Sequence, residues 1–360
     1  MKALVSGATG FIGGALAAAL CADGWEVNLL VRPASRERLQ AKNWPALSPD
    51  SYNLFLADLS SDTFENSATI QEAVQGCDLV FHAAAIRDRW GTSPDVYRRT
   101  NVNGTRHILE ASLGRVKRFV HVSSVGVLGF PRVLDIDETF PIRTEIGKVG
   151  YHTTKAEAEQ VVSACSENIE TVIVRPTITY GPGDADGMLT CLIEMISRGR
   201  YVQVGRGENH FHLTYIDDLV NGLILAGTHP AAAGETMILA GPQSISVREL
   251  ISQIEGRLGR RPGRVYLPEG FARWTARGIE AAYRLGASLS IPVLNRVPPV
   301  TQDKIDTLCV HRGFSSARAA RLIGFEPKVG YTEGLEKTMA WMVQEGRLRI
   351  NENRKRSARA

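Results

Sequence analysis

The sequence predicts an α/β protein: a doubly wound parallel sheet with a smaller, interleaved C-terminal domain. Three observations carry that expectation. Apolar strand-like runs alternate with helical patterns through the first half, the arrangement that builds parallel strands with right-handed crossovers. The first run, Lys2 to Ser6, passes straight into Gly7-Ala-Thr-Gly10-Phe-Ile-Gly13-Gly14 and an alanine-rich helix ending near Asp23. Beyond Pro176 the alternation gives way to an irregular pattern.

Taken in order, further strands are expected at 25–31, 53–57, 78–83, 118–123 and 171–175. Residues 43–49 hold two prolines, Pro45 and Pro49, and read as a loop because proline blocks a helix. Helices are expected around 188–198, 216–225 and 247–258, the last behind the capping pattern Ser246-Val-Arg-Glu249. Phe271, Trp274, Gly278, Ala282, Leu285 and Leu289 recur at helical spacing within 267–291, with Arg273, Arg277, Glu280 and Arg284 on another face. That stripe is expected to dock on the second domain; the competing reading is a lid over an apolar ligand or a membrane-touching surface. The division is 1–176 plus 212–241 for the larger domain, 177–211 plus 242–346 for the smaller, and 347–360 for a basic, frayed tail.

With 360 residues, 44% apolar and 22% charged, the chain is long enough for a large core and has an ordinary soluble composition. The net charge of +4 comes mostly from the tail and argues against a nucleic-acid surface. Cys21, Cys77, Cys165, Cys191 and Cys309 are scattered, without metal-ligand spacing, so a reduced cytoplasmic setting and no metal are expected. No signal peptide and no membrane-spanning run are expected, since no apolar stretch reaches the ~20 residues a spanning helix needs.

Glycines 7, 10 and 13, between a strand and a helix, allow a sharp turn, a close backbone approach to a pyrophosphate and tight helix packing, with free N–H groups to receive the charge. The spacing is Gly-x-x-Gly-x-x-Gly, one residue looser than the commonest dinucleotide fingerprint. At the end of the second strand, where an acidic residue would meet a ribose hydroxyl, stands Arg32, followed by Ser35 and Arg36. A guanidinium pairs with a phosphate, so NADP(H) is expected over NAD(H). Downstream, Tyr151-His-Thr-Thr-Lys155 places a phenol and an ammonium four residues apart on one helix face, where the cation favours ionisation of a hydroxyl that otherwise titrates near pH ~10. With Ser123-Ser124 upstream, this suits proton transfer beside a nicotinamide.

These residues resemble the extended short-chain dehydrogenase/reductase superfamily (the NAD-dependent epimerase/dehydratase family), a doubly wound fold of the Rossmann type, and the likeness runs to about Glu345. The resemblance implies a cofactor turn of Gly7, Thr9, Gly10, Phe11, Ile12 and Gly13, an adenine-contacting pair Asp58-Leu59, and a nicotinamide-side segment at His82-Ala83-Ala84-Ala85. It implies further that Ser124 is the active serine, that Asn101 is a structural or proton-relay residue, that Asn101, Tyr151, Lys155 and Pro176 also contact the cofactor, and that the stretch from Arg175-Pro176 leaves the cofactor domain. Residues 86–92, Pro298-Pro-Val-Thr-Gln and the ending from Gly324 to Trp341 resemble most the 3β-hydroxysteroid dehydrogenase-like branch, with dihydroflavonol reductases nearby.

The implied activity is hydride transfer to or from a carbonyl or secondary alcohol of an apolar small molecule: steroid-like, long-chain β-keto or β-hydroxy, or flavonoid-like. Tyr151, Ser124, Lys155 and Asn101 are the catalytic candidates; Arg87, Trp90, Ser124, Val125, Thr177 and His210 are the substrate-side candidates. Relatives imply a homodimer, and peripheral membrane contact is not expected. The alternatives are a nucleotide-sugar epimerase or dehydratase with tightly held NAD, and a non-catalytic NADP-binding regulator.

Overall fold

The computed structural model describes residues 1–360 except 41–46, 88–90, 130–132, 144–149, 261–265, 289–300, 303–304, 306–308 and 350–360. Pro45, Trp90, Leu289, the two prolines at 298–299 and most of the basic tail therefore lie outside the described residues. In chain order the elements are β1 (Lys2–Ser6), α1 (Phe11–Ala22), β2 (Glu26–Val31), β3 (Tyr52–Leu56), α2 (Phe64–Val74), β4 (Leu79–His82), α3 (Pro94–Tyr97), α4 (Gly104–Ser112) and β5 (Arg118–Val122). There follow α5 (Tyr151–Ser163), β6 (Glu170–Pro176), β7 (Ile178–Tyr180), α6 (Met188–Ser197), β8 (Gln203–Val204), β9 (His210–Phe211), β10 (Leu213–Tyr215) and α7 (Ile216–Thr228). The last are β11 (Thr236–Leu239), β12 (Ile245–Ser246), α8 (Val247–Leu258), β13 (Tyr266–Leu267), α9 (Glu269–Ser288), α10 (Ala317–Ile323) and α11 (Tyr331–Gln344).

The sheet runs β11-β6-β5-β4-β1-β2-β3, and every pairing in it is parallel. This is the expected doubly wound sheet. β4 and β5 are buried along their whole length, as strands covered by helices on both faces are, and the polar side chains they carry, His82, Arg118 and His121, are buried with them. β11 enters beside β6 although α6, α7 and the short ribbons intervene, so the chain leaves the sheet after Pro176 and returns. The ribbons are β7 with β10, β9 with β12, and β8 with β13. One apolar cluster joins sheet residues such as Val5, Val120 and Val174 to Leu189, Leu250 and Leu335 of the later helices.

Local chemistry explains several boundaries. α8 starts where Ser246 Oγ accepts from Glu249 N, the cap read from the sequence. α7 ends where the buried guanidinium of Arg118 donates to the carbonyls of Ala226, Gly227 and His229, with Glu170 balancing its charge at 2.7 Å.

α9 forms as expected, but its docking face differs from the expected stripe. Ala272 and Ala276 are buried with Ile305, Leu267 and Val204 around them, while Phe271, Trp274 and Leu285 are 53%, 71% and 63% exposed. The small alanine face admits close approach, and Glu280 is held beneath it by the backbone and side-chain amides of Gln302. Among the described residues no helix is long and apolar enough to cross a membrane.

Candidate active site

Strand order reverses between β1 and β4, which opens a crevice at the carboxyl ends of those strands. Gly7, at φ +74, brings the end of β1 against the following segment of β4: a Cβ there would stand 2.7 Å from Ala84 N and 2.8 Å from Ala83 C. A Cβ on Gly13 would stand 2.4 Å from Gly7 O, so only glycine lets α1 seat on the turn, and Gly10 N closes it by donating to Gly7 O at 2.9 Å. Gly10 caps α1 in extended conformation, with no side-chain cap and no acid in the first turn. With the Gly10 N–H taken by Gly7 O, the backbone around Thr9, Phe11 and Ile12 offers N–H groups and a dipole to an anion, which fits a dinucleotide pyrophosphate. The backbone of Ala83 and Ala84 stands against this turn.

Arg32 is exposed at the end of β2, donating to Ser35 Oγ at 3.4 Å. Asp58 accepts from Ser60 N and Oγ at 2.9 and 2.8 Å, shaping its own loop. Leu59 is buried, with its carbonyl accepting from His107.

A buried chain of hydrogen bonds runs from β1 to α5. Thr105 Oγ1 donates to Asn101 O at 2.7 Å, so it accepts from His82 Nε2 at 2.9 Å; His82 Nδ1 then accepts from Ser6 Oγ at 2.7 Å. His82 is therefore neutral with its proton on Nε2, and burial, then the Lys155 charge, push its pKa down to about 3. Asn101 Oδ1 accepts from Ile86 N at 2.8 Å, and Nδ2 donates to Ile86 O and to Thr154 Oγ1 at 3.2 and 3.1 Å. Thr154 Oγ1 in turn engages the carbonyls of Gly150 and Tyr151 at 2.8 and 3.1 Å. Asn101 thus ties the segment after β4 to the first turn of α5.

Ser123 and Ser124 part at the end of β5. Ser123 is buried and its Oγ meets Glu159 Oε1 at 2.5 Å, whereas Ser124 is half-buried and caps a 3-10 turn, its Oγ accepting from Gly126 N at 3.1 Å. The Ser124 hydroxyl keeps its proton for another acceptor. Tyr151 opens α5, and its ring meets the edge of His152 with centroids 5.2 Å apart. Lys155, 2% exposed, donates to Val122 O at 2.6 Å and meets His121 Nε2 at 3.2 Å. Burial lowers its pKa to about 8, against the raising influence of Glu159. Behind Ser123, Glu159 holds Arg175 through two hydrogen bonds of 3.0 and 2.7 Å, a buried ion pair.

The substrate-side residues divide. Val125 is buried in a cluster with Leu128, Ala156 and Phe314. Thr177 Oγ1 is spent on Thr214 Oγ1 at 2.6 Å, and its neighbour Pro176, a cofactor-side candidate, is buried opposite Leu239. Arg87 is exposed and acts on the buried carboxyl of Asp184. The His210 ring stacks on His311 at 5.8 Å, and its carbonyl accepts from Arg312 N at 2.7 Å. Sequence reading missed Glu159, Arg175, His152 and Arg312. The first two had a signal: Glu159 continues the four-residue spacing of Tyr151 and Lys155, and a charged Arg175 in an apolar strand needs a buried partner.

Residues 3–240 match the model of the NAD-dependent epimerase/dehydratase family. The chain belongs to that family. A 2-alkyl-3-oxoalkanoate reductase of Stenotrophomonas maltophilia (strain K279a) is 30% identical, over 94% of this chain and 99% of the relative. The Candida albicans (strain SC5314 / ATCC MYA-2876) sterol-4-alpha-carboxylate 3-dehydrogenase ERG26, decarboxylating, is 26% identical over 82% and 84%. Among solved structures, the crystal structure of gox2253 aligns with TM-score 0.77 and 28% identity, over 97% of this chain and 99% of its own. Within the NAD-dependent epimerase/dehydratase family, with reductase and dehydrogenase relatives, this chain is an oxidoreductase that depends on a nicotinamide dinucleotide.

Proposed function

We propose that this oxidoreductase interconverts a carbonyl and a secondary alcohol on an apolar small molecule, steroid-like, long-chain β-keto or β-hydroxy, or flavonoid-like. The names of the relatives that act on an oxoalkanoate and on a sterol carboxylate support that class. The observation that supports the chemistry is that Lys155 donates to Val122 O at the end of β5, the strand that Ser124 follows, and sits on the helix that Tyr151 opens.

A bound nicotinamide supplies or accepts the hydride. Tyr151 gives its phenolic proton to the carbonyl oxygen in reduction and takes it back in oxidation. Ser124 donates a hydrogen bond to the same oxygen, stabilising the charge that develops there. Lys155 has three N–H donors; with Val122 O and His121 engaged, one is left for a ribose hydroxyl, while the charge itself acts on Tyr151. Asn101 fixes the first turn of α5 so that the phenol keeps its aim, rather than handling the proton itself.

Arg32, open at the end of β2, favours NADP(H) over NAD(H) by pairing with the 2′-phosphate. Arg32→Ala is expected to raise the KM for NADPH about tenfold or more, the scale of a lost charged hydrogen bond, and to leave the KM for NADH nearly unchanged. An unchanged NADPH constant contradicts the assignment.

A homodimer and a reduced cytoplasmic setting belong to the same reading. The functional test is NADPH oxidation over a panel of sterol ketones, β-keto acids and flavonoids, with nucleotide sugars as controls. Turnover of an apolar ketone with net cofactor consumption is expected. Turnover of nucleotide sugars alone, with stoichiometric NAD retained through purification, would point to an epimerase instead.

A further inference from the structure

α9 carries two apolar faces, and the fold covers one of them. At about 100° per residue its side chains fall into three sectors. Ala272, Ala276 and Glu280 make the buried seam. Phe271, Trp274, Gly278, Ala282 and Leu285 make a second sector roughly opposite, about 21 Å long at 1.5 Å per residue, and all five are exposed. The Phe271 and Trp274 rings lie 6.1 Å apart at its start, and Tyr266, three residues ahead of the helix, is 61% exposed. Arg273, Arg277 and Arg284 line the border between the two sectors. Arg273 pairs with Glu269 and Arg284 with Glu280, while Arg277 donates to Gln302 Oε1 at 3.0 Å, so the stems are held along this border. Arg277 and Arg284 stay exposed, whereas Glu280 lies in the seam and shows no charge to the solvent beside them. A contiguous apolar row of this kind on a surface marks a contact.

We propose that α9 lies flat on an anionic phospholipid surface, with Phe271, Trp274 and Leu285 at the boundary between headgroups and acyl chains and the arginine border at the phosphates. The charge of the segment selects this occupant. Residues 256–288 hold seven arginines against Glu269 and Glu280, a net +5 in a chain whose total is +4. Arginine beside an apolar stripe suits a membrane interface, because its stem covers apolar surface while the guanidinium reaches out to phosphate oxygens, and aromatic rings settle at the same depth. A second copy of the chain fits less well. In a two-fold contact the same face meets itself, which would set one arginine border against the other. The contact is separate from the carbonyl–alcohol chemistry, since neither Phe271 nor Trp274 belongs to the reacting groups.

Co-sedimentation of the full-length protein with vesicles tests the proposal. Vesicles of equal parts phosphatidylcholine and phosphatidylglycerol are expected to carry down the wild type, and pure phosphatidylcholine vesicles roughly tenfold less, the scale of one or two arginines at a charged surface. Trp274→Glu and Phe271→Glu should each lower the partition coefficient on the anionic vesicles about 10- to 100-fold, since each replaces an inserted ring by a charge. Both variants should keep the wild-type Tm, and Val343→Glu, the same kind of change at an exposed position of α11, should sediment like the wild type. The basic tail is present in every variant. Equal sedimentation of the wild type, Trp274→Glu and Phe271→Glu therefore assigns binding to the tail and overturns the role of α9. Absence of sedimentation by the wild type overturns it as well. A dimer in analytical ultracentrifugation that Trp274→Glu splits, with no vesicle binding, gives the stripe to a second copy instead.

Discussion

At the scale of single residues, the buried charges behind the serine strand set the conditions for proton transfer. Lys155 carries its charge against burial, which brings its pKa to about 8, and Glu159 opposes that fall. A lowered lysine pKa means that the cation is present below about pH 8 and is lost as pH rises through that point. The kcat/KM for reduction, which reports the free enzyme, is therefore expected to decline on an alkaline limb near pH 8. Removing the Glu159 charge takes away the influence that raises Lys155, so Glu159→Gln should move the limb to lower pH. The same change leaves Arg175 buried without its carboxylate and should cost about 3–5 kcal/mol of stability by denaturant titration. A rate profile flat across pH 8, or a limb that moves upward in the variant, contradicts this view.

At the scale of elements, α9 separates what periodicity reveals from what packing decides. Ala272 and Ala276 make the buried seam, so Ala276→Glu is expected to unseat the helix and lower Tm by several degrees. Trp274→Glu, on a side chain 71% exposed, should leave Tm nearly unchanged. The reverse ranking would show that the aromatic stripe is the docking face. The sequence made the helix legible but not its orientation, because Phe271, Trp274 and Leu285 outrank two alanines on any hydropathy scale, whereas close approach rewards small side chains. Six of the seven sheet strands were legible to within a residue or two, since parallel strands covered on both faces are largely apolar, whereas β11, which joins the edge of the sheet after a long excursion, was not read as a strand. Gly7 and Gly13 were legible for a similar reason: backbone contact admits no Cβ there. Glu159, His152 and Arg312 depend on contacts between distant segments, which no local pattern records.

At the scale of the whole molecule, the sheet and the helices that follow it share one apolar cluster, from Val5 and Val174 to Leu250 and Met342. Thermal unfolding should accordingly follow a single cooperative transition, raised by NADPH through mass action. Two separate transitions would show that the later helices fold as an independent unit. The same continuity holds the Arg312 segment against the turn that bears Ser124, so the geometry of the site belongs to both halves of the chain. The central claim is that the phenol of Tyr151 moves the proton while the nicotinamide site stays intact without it. Single-turnover reduction with Tyr151→Phe, alongside NADPH binding by fluorescence, tests this most directly. The account predicts unchanged binding with a rate reduced about 10²- to 10⁴-fold, the range of general acid catalysis. A variant that reduces its substrate at the wild-type rate would contradict it.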